Sequence, residues 1–147
     1  MCKMAHFRNC DPGTADQEYC IFHKPNKSEE EAREFYNKFV LEFFGYKLPW
    51  NKGWVFAEEI DAGGFVFPEY RDMNFSYSHF KKPAKFTDAT FENDADFTGA
   101  TFEDNADFSG AVFNKDAKFD NSKFNGEVYF GWSSALFTNP RRLLSQI

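Results

Sequence analysis

The residues best suited to chemistry lie near the start of the chain. Cys2, Cys10, Cys20 and His23 follow a C-x7-C-x9-C-x2-H spacing. Thiolates and an imidazole are the donors a tetrahedral structural zinc prefers. The run Cys20-Ile21-Phe22-His23 is compact enough to present two ligands from one turn. Asp11-Pro12-Gly13 supplies a turn just after Cys10. His6 stands as an alternative ligand to Cys2. With all four positions filled by protein, the site expected is closed and structural, since a catalytic zinc keeps a water. An odd number of cysteines within 20 residues fits a metal site in a reducing compartment better than a disulfide framework. Residues 1–27 show no helical or strand periodicity, so a metal is the natural means of folding them.

Something must hold this module in place, and a helix comes directly after it. Ser28 is a candidate N-cap, and Glu31 completes a capping box. Ala32, Phe35, Tyr36, Phe39, Val40, Phe43 and Phe44 then form one apolar stripe of period 3.6, with Gly45 as the expected stop. Such a stripe over residues 28–46 needs an apolar surface to cover. Residues 47–59 read as a connector, whose Trp50 and Trp54 are expected to pack under the first turn of the repeat that begins near residue 60.

From Phe86 on, phenylalanine falls at Phe91, Phe97, Phe102, Phe108, Phe113, Phe119, Phe124 and Phe130, in alternating steps of five and six. Alanine stands two places earlier at Ala84, Ala89, Ala95, Ala100, Ala106, Ala111 and Ala117. Backward tracing reaches Phe80, then Phe75, Tyr70 and Phe65 in strict fives, with Ile60 as a weak first member. A fixed internal period decides architecture before local propensity does. Units such as Ala84-Lys85-Phe86-Thr87-Asp88, Ala95-Asp96-Phe97-Thr98-Gly99 and Ala106-Asp107-Phe108-Ser109-Gly110 resemble pentapeptide repeats of the A-x-F-x-x type.

That resemblance covers residues 60–131. It implies a mainly β fold, a right-handed quadrilateral β-helix (a solenoid) of about three coils. Both the central and the small residue of each unit then point inward. Four units per coil give a 22-residue turn and ladders Phe65/Phe86/Phe108/Phe130, Tyr70/Phe91/Phe113, Phe75/Phe97/Phe119 and Phe80/Phe102/Phe124. The same register sets Lys85 beside Asp107 and Asp96 beside Lys118, while Asp94 meets Asp116 at a solvated corner. Residues 1–27, through Tyr19-Cys20-Ile21-Phe22-His23, resemble small Cys/His zinc modules found ahead of pentapeptide repeats in prokaryotic proteins. In the helix, such a fold would have an N-terminal cap.

Residues 132–147 leave the period. Trp132, Leu136, Phe137, Leu143 and Leu144, with a short helix beginning at Asn139-Pro140, read as a C-terminal cap. The resemblance also implies dimerisation at that end, with Trp132 and Phe137 as contact candidates.

The net charge of −6 argues against non-specific nucleic-acid binding. Residues 86–130 concentrate ten acids against three lysines. No nucleophile–base pair, phosphate-binding glycine loop or carboxylate dyad stands out. The leading expectation is a non-enzymatic scaffold that binds a protein partner. A DNA-mimic modulator of an enzyme such as gyrase is the first alternative, since some pentapeptide-repeat proteins act so. Nucleic-acid binding through Lys3, Arg8, Lys24 and Lys27 of the zinc module is the second. With no apolar run long enough to span a bilayer and no charged stretch leading into an apolar one, a cytoplasmic location is expected.

Overall fold

A computed structural model describes residues 1–43, 45–47, 49–50, 52–70 and 73–131, with the backbone of 136–137. The chain forms a β-solenoid of about three turns with one helix before it. Its two-residue strands stack into four sheets, one per face. The first face runs Val55–Phe56, His79–Phe80, Thr101–Phe102 and Lys123–Phe124 in parallel. The second runs Ile60–Asp61, Ala84–Lys85, Ala106–Asp107 and Val128–Tyr129. The third runs Val66–Phe67, Thr90–Phe91, Val112–Phe113 and Leu136–Phe137. The fourth pairs Ala95–Asp96 with Ala117–Lys118.

Ring stacking sets the coil spacing. Phe91 lies 5.0 Å from Phe113, Phe97 5.1 Å from Phe119, Phe80 4.6 Å from Phe102, and Phe86 5.1 Å from Phe108, all stacked with nearly parallel planes. These separations match the ordinary strand spacing of about 4.8 Å, so ladder hydrogen bonds and ring contacts are satisfied together. Rings on opposite faces meet edge-on across the lumen, as Phe97 and Phe108 do, and so do rings joined by a six-residue step, as Phe91 and Phe97 are. The alanines are fully buried between them, where a larger side chain would not fit.

The alternation of five and six has a backbone cause. Each five-residue step passes through a left-handed residue two places after a phenylalanine: Tyr77, Asp88, Gly99, Gly110 and Asn121. The turn closes with an N–H to C=O bond across four residues, as from Ala89 to Phe86 and from Ala100 to Phe97. Six-residue steps round the other two corners. There the added residue ties neighbouring coils: the Asp94 carboxylate accepts the Asp116 N–H, and the Asn105 amide oxygen accepts the Glu127 N–H. Asp94 is exposed, so the like-charge corner is solvated as expected.

The 22-residue register holds in the later coils, where Lys85 pairs with Asp107 and Asp96 with Lys118. Local turns claim the carboxylates first, however. Asp96 accepts the Thr98 N–H and Asp107 the Ser109 N–H, while Lys85 reaches Glu59 and Lys118 reaches Asp94.

The first coil corrects the backward tracing. Phe67, not Tyr70, lies under Phe91, 4.6 Å away. Ile60 pairs with Ala84, which sets Ala62 below Phe86 and Phe65 below Ala89. Large and small residues have exchanged places there, and 24 residues separate the first coil from the second on three faces. Phe65 fits an alanine position because no further coil lies on its other side, where Phe22 stacks on it at 4.5 Å. Tyr70 instead stacks outside on Tyr36. Phe56 begins the first ladder, 5.3 Å from Phe80.

The helix, Glu29–Glu42, starts with the expected capping box. It buries Ala32, Phe35 and Phe39 against the open end of the lumen. Phe39 sits over the axis, with Phe56, Phe65, Phe67 and Phe75 all within 6.3 Å. Gly45 does not stop the helix. It opens a strand, Gly45–Tyr46, antiparallel to Val55–Phe56, and a Cβ there would come within 2.8 Å of the Phe56 ring. The hairpin between these strands leaves Trp50 80% exposed, contrary to the expected packing, whereas Trp54 contacts Tyr36 and Phe56. The expected C-terminal cap, with Trp132, the side chain of Phe137 and residues 138–147, lies outside the described residues.

Phe97→Ala, in the middle of the stack, should lower unfolding free energy by about 3–5 kcal/mol in urea denaturation. Phe124→Ala, at the partly exposed end, should cost only about 1–2 kcal/mol.

Candidate metal centre

The N-terminal module is shaped by short turns. Residues Ala5–Phe7 form a 3-10 turn, and Arg8 then takes a left-handed conformation that sends the chain back towards Cys10. Thr14 N–H closes a turn on Asp11, and the Thr14 hydroxyl accepts the Ile21 N–H, holding the Cys20 turn against the rest. His23 N–H closes that turn on the Cys20 carbonyl.

These turns bring Cys2, Cys10, Cys20 and His23 together, with all four donor atoms within 4.8 Å of one another. His23 Nδ1 lies 2.9 Å from Cys20 Sγ, 3.6 Å from Cys10 Sγ and 3.9 Å from Cys2 Sγ. The donors of a tetrahedral zinc stand about 3.5–3.8 Å apart, given bonds of ~2.3 Å to sulfur and ~2.0 Å to nitrogen. The cluster is therefore close to the size a zinc ion requires, with the Cys20–His23 edge needing to open slightly. All three cysteines are free thiols. His6 is exposed, lies against Phe7 and takes no part in the cluster.

The histidine is held from behind. Its Nε2 lies 3.2 Å from the Gly63 carbonyl oxygen. A carbonyl only accepts, so Nε2 carries the proton and Nδ1 presents its lone pair to the sulfurs. Burial pushes the His23 pKa below its ordinary value and favours the neutral ring, although the Gly63 carbonyl pulls the other way. Cys2 sulfur receives backbone N–H groups from Cys20 and Met4. Burial disfavours its thiolate, but these donors and the neighbouring thiols outweigh burial and hold its pKa below the ordinary thiol value. Cys10 lacks such donors, and burial with two adjacent sulfurs pushes it up to about 12. Holding all three sulfurs as thiolates here would require a cation to share their charge.

The module docks on the first coil. Asn9 donates to the carbonyls of Gly63 and Asp61, and the Val66 N–H bonds the Phe22 carbonyl. Phe7 lies over Gly64, whose φ is +70°. Asp11 joins the module to the helix, with Lys38 Nζ at 2.7 Å and the Thr14 hydroxyl at 2.8 Å. The sequence marked the four donors, but nothing in it pointed to Asn9. The adjacent Gly63-Gly64 was the one available signal for the docking corner.

The fold and site together define a β-solenoid with a Cys/His cluster at its N-terminal end. Residues 75–123 match the family model for pentapeptide repeats, in nine copies, and the chain carries a pentapeptide-repeat solenoid there. No curated protein and no solved structure matches the chain.

Gly64→Ala should destabilise the protein by about 1–2 kcal/mol or more, since it adds left-handed strain to a clash with Phe7. Burial raises the Asp11 pKa, but Lys38 and Thr14 outweigh it and hold the carboxyl below its ordinary value of 3.8. Its contribution to stability is therefore present above that value and lost as pH falls through the lower folded value. Asp11→Asn should be less stable than the parent at pH 7, and the difference should shrink below about pH 3 in parallel denaturation curves.

Proposed function

We propose that the protein is a non-enzymatic binding scaffold. Its solenoid presents outward side-chain rows to a protein partner, and Cys2, Cys10, Cys20 and His23 hold one structural zinc that fixes the N-terminal end. The observation that carries this reading is the complete use of the lumen by stacked phenylalanine and alanine. Chemistry that differs from coil to coil lies on the outer faces and corners, where repeat proteins bind. Zinc is favoured by the donor set, three sulfurs and one nitrogen, and by the size of the cluster. When bound, zinc would supply cross-linking and charge compensation only, because the four protein donors complete its coordination.

DNA mimicry is less well supported. Asp96, Asp107 and Asp94 each accept backbone N–H groups, and lysines interrupt the acidic columns at Lys85 and Lys118. A mimic needs a long unbroken field of charge. Nucleic-acid binding by the module is also weakened, since Lys3 pairs with Glu18, Lys24 pairs with Glu31, and Lys27 bonds the carbonyls of Lys24 and Val66. The partly buried Phe124, Val128 and Phe130 at the far end of the stack support closure there by residues 132–147 or by a second copy. Light scattering would tell these apart by mass.

Purified protein should contain one zinc per chain by elemental analysis, and Cys20→Ser should lose it. In affinity capture from native lysate, a partner should be retained by the parent and reduced by charge reversal at exposed Glu103 and Asp104. Capture that survives unfolding of the bait would contradict the scaffold reading. Supercoiling by gyrase should be unaffected at stoichiometric excess, and inhibition would favour mimicry instead.

A further inference from the structure

The four candidate ligands are not equally sheltered. Cys2 is 3% exposed, Cys20 0% and His23 2%, whereas Cys10 is only partly buried. A groove of about 700 Å³ opens onto the cluster, lined by Met1, Cys2, Ala5, Arg8, Cys10 and Asp16. Cys20 and His23 lie on the opposite side, against the solenoid, through Phe22 and Gly63. A site with a purely architectural task has no need of a thiolate facing a groove wide enough for a small molecule. Cys10 and Cys2 share that groove, and their sulfurs belong to a set lying within 4.8 Å. A bond of about 2.05 Å between them requires a modest approach.

We propose that Cys10 is a modification site for hydroperoxides, and that its oxidation ejects the metal by forming a Cys2–Cys10 disulfide. This rests on the zinc reading given above. In the metal-free site burial holds Cys10 as the thiol, but with zinc bound it would be a thiolate, and this thiolate attacks the terminal oxygen of the hydroperoxide. A sulfur–oxygen bond forms, the oxygen–oxygen bond breaks, and sulfur loses two electrons to the peroxide. The departing alkoxide or hydroxide takes a proton from water, leaving a sulfenic acid on Cys10. The Cys2 thiolate then attacks that sulfur, and a sulfur–sulfur bond replaces the sulfur–oxygen bond as hydroxide leaves through the groove. Cys20 and His23 alone would no longer complete a tetrahedral site, so a bound zinc would be released as the divalent ion and Cys20 would take up a proton. Cys20 is the poorer resolving thiol because it does not line the groove through which hydroxide must leave.

The test uses the unmodified, zinc-loaded protein with hydrogen peroxide as the probe. A metal-sensitive dye should report one zinc released per chain as two thiols are lost, and peptide mapping should find Cys2 joined to Cys10. Dithiothreitol with added zinc should reverse both changes. Under limiting iodoacetamide, Cys10 should be alkylated about tenfold faster than Cys20. Zinc retained under peroxide, a disulfide that includes Cys20, or equal alkylation of all three cysteines would each overturn the proposal and leave the structural zinc intact. Protein purified without any metal would instead sink the zinc reading, and this proposal with it.

Discussion

A stack of phenylalanine rings satisfies itself along its length and nowhere else. A ring inside the lumen such as Phe97 has a parallel neighbour above and below, Phe75 and Phe119, and edge contacts across the lumen with Phe86 and Phe108. At an end it offers a bare ring face and a row of unpaired strand groups, which invite other chains. With about three turns, a large share of this solenoid is end. Closure of the ends is therefore the constraint on which the remaining structure depends.

At the N-terminal end the closure has two parts. The helix supplies the apolar part, with Phe35 and Phe39 meeting rings from several faces at once. The Cys/His module supplies the polar part. Phe22 stacks on Phe65 as a further coil would, and its carbonyl takes the Val66 N–H that the next strand down would otherwise take. Because Phe22 lies between Cys20 and His23, the same turn serves the Cys/His cluster and the strand edge. His23 links the two directly, with one ring nitrogen towards the sulfurs and the other on Gly63. A metal at this site would thus stabilise a turn that also caps the third face.

The solenoid was legible in the sequence through its strict period, and the clustering of Cys2, Cys10, Cys20 and His23 through their residue types and the compact Cys20–His23 run. The phenylalanine period fixed which residues face inward from Phe75 on, and the capping box placed the start of the helix. Spacing failed in the first coil. Phe65 and Tyr70 continue the period of five, yet the pairing runs through Ile60 and Phe67. The reason is the neighbour: Phe65 meets Phe22, a residue 43 positions earlier with no place in the repeat. Gly45 misled for a similar reason, since its lack of a side chain serves the Phe56 ring and not a helix end. Outward ion pairs were only half legible, because register sets which charges are neighbours but local turns take the carboxylates first.

The link between metal and solenoid edge is tested most directly by amide hydrogen exchange of the zinc-loaded protein before and after chelation. The Val66 amide, bonded to the Phe22 carbonyl, should lose most of its protection when zinc is removed. The Thr101 and Val112 amides, on interior strands of the stack, should keep theirs. Unchanged protection at Val66 after complete metal loss would contradict that link.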